Sequence, residues 1–429
     1  MSSRSNPEIM YNFFPRLVSH AGLWVEHLER IAQMGFNSIY INPVQETGGS
    51  RSLYAVKNYF RLNTEFLPPG ADPEDFSILT DFIQKAENSG ITVYTDLVLN
   101  HTANESVLID QHPEWFKRDG AGNIVHPYAI DPANPSNITV WGDLSEIDYE
   151  NSQNLQSLIK YWDEVIGFYQ KLGFSGFRCD AAYKVPGSVF IPLINAAKKR
   201  DPKTRFFAET LGCTLEQVEQ LRNCGFDYLF NSCKWWNFDS SWCLDQHRQF
   251  KSIAPSIGFP ESHDTLRTPS EQPGTLNWQK NRYILASVFS KGILMPMGYE
   301  YGSYIKIDVV NSRPEDLKKG KWDICDWITR VNMFKASVPV LCQEGEWQQL
   351  NGFDSNVLFL IKKSDDSSNK LGVLINKDWY NGTEVSRNSI PGELARFKYL
   401  IKPFTDPHKT IANGGTIDLG PSEIVFFTE

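Results

Sequence analysis

The sequence contains no uninterrupted apolar run of about 18 residues, the length that a membrane-spanning helix needs. It also lacks a run of basic residues. Lys and Arg number 42 against 51 Asp and Glu, so the formal net charge is −9. An acidic chain without a basic patch binds polyanions poorly. The sequence therefore predicts neither a membrane protein nor a nucleic-acid-binding protein.

Paired cysteines are missing as well. The seven cysteines are an odd number and include no Cys-x-x-Cys pair, a pattern typical of reduced thiols rather than of a disulfide framework or a zinc site. No apolar stretch follows the first charged residues, so no secretory signal is visible. We therefore expect a cytoplasmic protein and leave export by a signal-independent route open.

Apolar and aromatic residues are abundant. Hydrophobic residues make up 41% of the 429 positions, with 27 Phe, 17 Tyr and 12 Trp. This composition supports a large core, and the length suggests about two or three domains. The excess of Trp also permits a stacking surface for flat ligands such as sugar rings.

Eight short apolar runs alternate with helical segments over the first 340 residues. The runs cover residues 9–14, 36–41, 91–99, 174–179, 205–208, 226–230, 256–259 and 292–295. The helical segments lie near 22–34, 74–89, 152–172, 188–200, 214–224, 240–251, 277–290 and 321–336. Eight buried strands, each followed by a helix, are typical of a parallel barrel. The predicted fold is α/β, with a (β/α)8 TIM barrel as a catalytic domain over residues 1–340.

Two regions depart from a plain barrel. Residues 101–151, rich in Pro, Gly, Asp and Asn, separate the third strand from the next helix. An insertion of that length predicts a loop subdomain. Residues 345–429 show alternating strands without helices, near 357–361, 371–375, 397–401 and 423–427, and this pattern predicts a C-terminal antiparallel β-sandwich domain.

Polar side chains collect at the carboxyl ends of four predicted strands, and in such barrels these ends converge on one mouth. A carboxylate at a strand end is by itself often the N-cap of the next helix. Four such ends in one barrel favour a functional site. The side chains concerned are Asn100, His101, Arg178, Asp180, Glu209, His263 and Asp264.

Two of the carboxyl groups have different expected protonation states. Arg178 and Asp180 are two apart on a strand and point to the same face, so the arginine should keep the carboxylate ionised, as a nucleophile requires. Glu209 follows three apolar residues, and apolar surroundings raise a carboxyl pKa and suit it to proton donation. Retaining glycoside hydrolysis requires one ionised and one protonatable carboxyl group, about 5 Å apart.

In order and spacing, these segments resemble the four signature regions of the alpha-amylase family of glycoside hydrolases, and the likeness extends over roughly residues 8–340. The resemblance implies that Asp180 is the nucleophile, Glu209 the general acid and base, and Asp264 the carboxylate that grips ring hydroxyls. Further residues expected to line the same sugar-binding subsite are Arg178, His101 and His263.

The same resemblance assigns roles around the site. Tyr54 looks like the tyrosine on which that sugar stacks, with a core aromatic as the alternative. Asn100 and Asp143 are similar to positions that bind a structural calcium ion, and oxygen ligands suit calcium. Ordinary loop hydrogen bonding is the alternative for this pair.

The outer subsites depart from the common amylases. Lys184 ends an Ala-Ala-Tyr-Lys stretch where a Lys-His pair is usual, so we expect altered leaving-group subsites around it. Trp235 and Trp236 follow the sixth strand and are candidates for a sugar-stacking edge. Adjacent aromatics commonly split between core and surface, so we expect only one of them, Trp235, to touch ligand.

Some segments resemble the bacterial maltosyltransferases that use maltose 1-phosphate, namely residues 112–116 and 226–236. That group holds its phosphate with a Lys and a Tyr shortly after an Asn-Pro. Here Asn134-Pro135 is followed by Ser, Asn, Ile and Thr. Because a dianion without a cation is poorly bound, the sequence ranks phosphate-donor transfer below hydrolysis.

Three functional hypotheses follow. The first is a retaining hydrolase of alpha-1,4-glucosidic bonds in glycogen or starch-type alpha-glucans. The second is an alpha-glucan transglycosylase or maltosyltransferase on the same scaffold. The third is a carbohydrate- or partner-binding protein without catalysis, which the three occupied carboxylate positions disfavour. The expected partner is an alpha-glucan polysaccharide or oligosaccharide. The sequence leaves endo or exo action and the oligomeric state open.

Overall fold

In a computed structural model, which describes residues 6–131, 134–397, 399–404 and 415–428, eight parallel strands form a closed barrel. They follow one another around the barrel in chain order, and the eighth pairs with the first. The strands are Ile9–Phe13, Ser38–Ile41, Thr92–Leu97, Gly176–Cys179, Arg205–Ala208, Tyr228–Phe230, Ser256–Gly258 and Gly292–Pro296. The predicted TIM barrel is therefore confirmed, with each strand inside or within one residue of its predicted run.

The barrel has two cores because side chains on a strand alternate between its two faces. One face of the strands packs against the helices in the main hydrophobic core. The other face fills the barrel interior with large side chains, as expected for an eight-stranded barrel. The interior cluster comprises Met10, Tyr40, Tyr94, Phe207, Tyr228, Phe230, Ile257, Phe259 and Leu294.

Helices surround the barrel at the predicted places. The major ones are Leu28–Gln33, Ser77–Asn88, Leu155–Lys171, Gly187–Arg200, Leu215–Glu219, Trp242–Lys251, Leu276–Phe289 and Cys325–Ser337. The second begins three residues later than its predicted start at 74. The Asp75 carboxylate accepts a hydrogen bond from the Ser77 backbone N–H at 2.8 Å, so the chain turns once more before the helix starts.

The insertion after the third strand contains short antiparallel strands. His101–Ala103 pairs with Leu144–Glu146, and Tyr128–Asp131 forms a hairpin with Asn134–Val140. A short helix, Val107–Gln111, lies between them. The predicted loop subdomain thus has secondary structure of its own.

The C-terminal region is antiparallel, as predicted. Its larger sheet has the order Glu346–Gln349, Val357–Lys363, Lys370–Asn376, Ile424–Thr428, Tyr399–Ile401. A second pair, Thr383–Ser386 with Thr416–Leu419, covers one face of this sheet and encloses a separate apolar cluster. Among the described residues, no helix is long and apolar enough to cross a bilayer.

Candidate active site

Arg178 lies at the centre of the polar cluster at the barrel mouth. It is buried on the fourth strand, and its Nη1 donates to Asp96 Oδ1 at 2.9 Å and to Asp180 Oδ1 at 2.8 Å. Its Nη2 lies 4.0 Å from Glu209 Oε2. One guanidinium therefore contacts three carboxyl groups from three neighbouring strands, and Glu209 also lines the cavity at the barrel mouth.

Glu209 is held by the backbone on both sides. Its Oε1 accepts from the Leu211 N–H, and its Oε2 accepts from the Ala181 N–H at 2.8 Å. Ala181 directly follows Asp180 and has a left-handed backbone with φ +38°. This conformation is costly for alanine, and it places the amide next to the Glu209 carboxyl group. The local backbone thus fixes the position of Glu209 relative to Asp180.

Burial and neighbouring charges shift the pKa values of these carboxyl groups. Burial raises the pKa of Glu209 to about 8; Asp180 and Asp264 act in the same direction, and Arg178 opposes them. Burial also raises the pKa of Asp180, and Arg178 lowers it. Arg178 therefore acts on Asp180 in the predicted direction, but burial opposes it. Because Arg178 is closer to Asp180 than to Glu209, Glu209 is the group that keeps a proton near neutral pH.

Tyr54 and His263 form the wall beside this cluster. Their rings are parallel, with centroids 5.6 Å apart, and the Tyr54 hydroxyl lies 2.8 Å from His263 Nε2. The Tyr54 hydroxyl also donates to Asp96 at 2.7 Å. Burial lowers the pKa of His263 to about 3, so the imidazole is neutral. Asp264, 3.1 Å from His263 Nε2, has a side chain that is 40% exposed and faces the open cavity.

The cavity itself is lined by residues that lie on or directly after six of the eight barrel strands. Its lining combines carboxyl groups with apolar side chains. The lining residues are Tyr40, Arg178, Glu209, Leu211, Phe230, Phe259, Ser262, His263, Asp264 and Leu294. A pocket with a few convergent polar groups and a raised carboxyl pKa is the usual form of an active site.

Three other predicted residues form no hydrogen bond with Arg178 among the described residues. His101 is buried, its Nε2 has no hydrogen-bond partner, and no hydrogen bond joins it to Arg178 in the described part of the chain. Lys184 donates from Nζ to the Tyr128 carbonyl at 3.1 Å, so it connects the barrel to the inserted hairpin. Trp235 is 45% exposed whereas Trp236 is fully buried. The expected split of the tryptophan pair is observed, while sugar contact stays a prediction.

The two candidate calcium ligands flank the short strand pair of the insertion. Ile147 pairs with Asn100 and Asn104 with Asp143 through backbone hydrogen bonds, so the two residues lie at opposite ends of this ladder. At roughly 3.3 Å per residue their backbones are about 13 Å apart along the strand, whereas calcium ligands must surround one ion. The Asn100 Oδ1 atom is buried without a donor, yet the pair does not fit a shared ion. The calcium ion stays a prediction from the resemblance.

Sequence reasoning missed three contributors to the site. Asp96 and Tyr40 are buried partners of the Arg178 cluster, and the Tyr40 hydroxyl donates to Asp96. Because both residues lie near the carboxyl ends of barrel strands, the sequence could have indicated that they belong to the site. Lys306 acts electrostatically on Asp264 and His263. It comes from the loop after the eighth strand, where the sequence carries no signal.

Comparisons with known proteins show which families this chain resembles. The pattern of the family described as "Glycogen debranching enzyme, glucanotransferase domain" matches residues 9–118. An alpha-1,4-glucan:maltose-1-phosphate maltosyltransferase from Burkholderia pseudomallei is 25% identical over 365 residues, covering 81% of this chain and 30% of the relative. A maltosyltransferase of the same description from Picrophilus torridus is 22% identical and covers 94% of this chain and 65% of the relative. The chain thus spans from about a third to two thirds of the length of these relatives.

Solved structures show the same fold. An alpha-amylase from Lactobacillus plantarum has a TM-score of 0.76 at 18% identity, covering 98% of both chains. A cyclic alpha-maltosyl-(1→6)-maltose hydrolase from Arthrobacter globiformis has a TM-score of 0.71 at 18% identity, covering 98% of this chain and 99% of that one. The predicted resemblance to the alpha-amylase family, with similarity to maltosyltransferases, is confirmed. The relatives support the transferase alternative at least as well as the hydrolase that the sequence ranked first.

Proposed function

We propose that this chain cleaves alpha-glucosidic bonds with retention and passes the glycosyl unit to the hydroxyl of another sugar. The observation that carries the proposal is the arrangement around Arg178. One guanidinium contacts the Asp180 carboxylate at 2.8 Å and lies 4.0 Å from Glu209, whose pKa is about 8. An ionised and a protonated carboxyl group on neighbouring strands are what a double displacement needs.

In the first step Asp180 attacks the anomeric carbon of the donor sugar. The bond from that carbon to the glycosidic oxygen breaks, and Glu209 gives its proton to the departing oxygen. The product is a glycosyl ester on Asp180 and a free sugar hydroxyl. Arg178 and the neutral His263 flank the reacting carbon, and the exposed Asp264 is positioned to accept hydrogen bonds from ring hydroxyls.

In the second step the Glu209 carboxylate takes a proton from an acceptor hydroxyl. The acceptor oxygen bonds to the anomeric carbon, and the ester to Asp180 breaks. Both carboxyl groups return to their starting protonation states. A sugar acceptor gives transfer, and water gives hydrolysis, so the same residues support both reactions.

Transfer is the better supported outcome because the matching relatives are named maltosyltransferases. The sequence argument against a phosphate donor was the missing cation near Asn134. Lys184 Nζ reaches Tyr128 on the hairpin whose second strand begins at Asn134. Lys184 is therefore a candidate cation from another part of the chain, and maltose 1-phosphate belongs among the donors to be tested. Hydrolysis of alpha-1,4-glucans is the second candidate function.

The test is product analysis with three donors: maltoheptaose, glycogen, and maltose 1-phosphate with a maltooligosaccharide acceptor. We expect longer chains without a matching rise in reducing ends, and loss of turnover by about a hundredfold or more in Asp180→Asn and Glu209→Gln. Glu26→Gln, at an exposed position on the barrel surface, is the matched control.

Chains that only shorten, with reducing ends rising in step, would replace transfer by hydrolysis. Full turnover in either carboxyl variant would contradict the residue roles. Glucan binding without any turnover in the wild type would revive the hypothesis of a binding protein.

A further inference from the structure

A second cavity, with a volume of about 270 Å³, is formed by segments that follow the first, second and eighth barrel strands. These three strands are neighbours in the barrel, and the lining shares no residue with the cavity that Glu209 lines. Three arginines line it, Arg16, Arg51 and Arg313, together with Glu65 and Glu315. The lining therefore carries an excess of one positive charge.

Glu65 holds two of the guanidinium groups side by side. The Arg16 side chain is 4% exposed, and its Nε donates to Glu65 Oε2 at 3.1 Å. Arg51 Nε donates to the other carboxylate oxygen, Oε1, at 2.8 Å. Each oxygen of Glu65 is thus engaged by a different arginine. The carboxylate fixes both cations in place, and it neutralises only one of them.

Unused donors remain on this surface. Arg51 bonds Glu65 through Nε and Nη2, so its Nη1 is left without an acceptor among the described residues, and the side chain is 64% exposed. The Arg313 guanidinium has no hydrogen bond or ion pair with the described part of the chain. Guanidinium groups bind phosphate and carboxylate oxygens through paired, charge-assisted hydrogen bonds. The cavity can therefore hold a small anion without breaking an existing contact.

The cavity is joined to the wall of the candidate active site through the backbone. Arg16 donates from Nη1 to the Val309 carbonyl and from Nη2 to the Arg51 carbonyl at 2.5 Å. The Leu53 N–H donates to the same Val309 carbonyl at 3.2 Å, and Tyr54 is the next residue. Arg51 has a left-handed backbone with φ +62°, which is unfavourable for a residue other than glycine. A ligand that holds Arg51 should stabilise the segment that carries Tyr54.

We infer that this cavity is an accessory site for a phosphate group, either free phosphate or the phosphate of a phosphorylated sugar, and that its occupancy strengthens donor binding. Two guanidinium groups with unused donors supply the charge, and the Ser19 hydroxyl and Asn311 amide in the lining add neutral donors. The small volume and the Glu315 carboxylate select against a polyanion. The effect on the donor rests on the proposed function, whereas phosphate binding does not.

The test titrates wild type and variants with inorganic phosphate and with glucose 1-phosphate in a calorimeter at constant ionic strength. Arg51→Gln with Arg313→Gln should raise the dissociation constant about tenfold or more, because charge-assisted hydrogen bonds are lost. Lys199→Gln with Arg396→Gln is the matched control. It removes the same two charges from exposed positions elsewhere, and should bind like wild type.

Kinetics test the link to Tyr54. Phosphate should lower the KM of the wild type for maltoheptaose several-fold with kcat nearly unchanged, and it should have no effect on the KM of the double variant. Arg313→Gln alone breaks no contact with the described part of the chain. It should weaken phosphate binding by itself, so the inference stays testable if the double variant unfolds.

Binding of inorganic phosphate alone or of glucose 1-phosphate alone would support the site and identify the source of the phosphate group. Failure of the wild type to bind either probe would overturn the inference, as would equal affinity in the double variant or an equal loss in the surface control. Binding without a change in KM would overturn the coupling to Tyr54. Binding that depends on Arg51 and Arg313 in a protein without turnover would support the site while contradicting the proposed function.

Discussion

At the scale of single residues, the site is governed by an imbalance of charge around Arg178. Three carboxyl groups lie within 4.0 Å of one guanidinium. Burial penalises the ionised form of each carboxyl group, and one guanidinium offsets this penalty only in part, so the group that it contacts least keeps its proton most readily. The group farthest from the guanidinium is Glu209, and its pKa is about 8. The burial that raises this pKa should cost stability once Glu209 has to ionise.

This cost gives a pH-dependent prediction. The pKa of Glu209 is raised from 4.5 to about 8, so between these values the folded protein holds a proton that the unfolded chain releases. The contribution of Glu209 to the free energy of unfolding of the wild type therefore falls as pH rises through this window. Glu209→Gln has no proton to lose. We expect its melting temperature to exceed that of the wild type by an amount that grows from pH 5 to pH 8.

Thermal melts of wild type, Glu209→Gln and the exposed control Glu26→Gln at several pH values measure this effect. Glu26→Gln should follow the wild type across the range. Parallel melting curves for wild type and Glu209→Gln would show that Glu209 does not titrate in this window, and the proton-donor assignment would lose its physical basis.

Some of these residues were predictable from sequence and others were not. Asp180 and Glu209 follow from apolar runs that end in carboxylates, because barrel strands must be buried and their polar ends must be at the mouth. Tyr40 and Asp96 were not assigned to the site, because their contact depends on which strands become neighbours when the barrel closes. Lys184 was expected near the leaving group, and its carbonyl partner on the insertion was not visible in the spacing.

At the scale of elements, the inserted hairpin depends on contacts outside itself. Tyr128–Asp131 and Asn134–Val140 form an isolated two-stranded sheet, and such hairpins are marginal alone. Lys184 anchors it, with Nζ 3.1 Å from the Tyr128 carbonyl and 5.2 Å from the centre of its ring. The barrel loop that follows Asp180 therefore holds the inserted hairpin in place.

Removing this anchor should loosen the hairpin without altering the carboxyl groups. For Lys184→Met we expect faster hydrogen exchange across residues 128–140 and a KM for donor or acceptor raised several-fold, with kcat nearly unchanged. Lys184→Arg should restore much of the protection because it keeps the charge and the donors. Lys160→Met, at a lysine whose side chain is 80% exposed on another helix, is the control. Unchanged exchange in Lys184→Met would show that the hairpin is stable without the lysine.

Element types were predictable where the strands are buried apolar runs. All eight barrel strands are apolar runs that the pattern identifies. The short strands of the insertion were missed because they are polar, and they are strands only through pairing with one another. In the C-terminal domain, Glu346–Gln349, Thr383–Ser386 and Thr416–Leu419 were missed for the same reason, since few of their side chains are buried.

At the scale of the whole molecule, the barrel and the C-terminal domain share one core. The main hydrophobic cluster includes barrel residues such as Phe289 together with Trp347, Leu358 and Phe426 of the C-terminal sheet. Trp347 stacks on Phe289 with ring centroids 4.0 Å apart, and its Nε1 donates to the Phe289 carbonyl at 3.3 Å. The buried Lys362 adds a hydrogen bond to the Val288 carbonyl at 2.8 Å. The two domains should therefore unfold together.

The Trp347→Ala variant tests this coupling. Truncating a buried tryptophan typically costs about 3–5 kcal/mol, and here the lost contact joins the two domains. We expect the wild type to unfold in one urea transition with coincident circular dichroism and tryptophan fluorescence. Trp347→Ala should shift to lower urea and separate into two transitions, because the C-terminal sheet retains its own smaller cluster. Tyr399→Ala, at an exposed position in the same sheet, should leave the transition unchanged. Two transitions in the wild type would show instead that the shared core does not couple the domains.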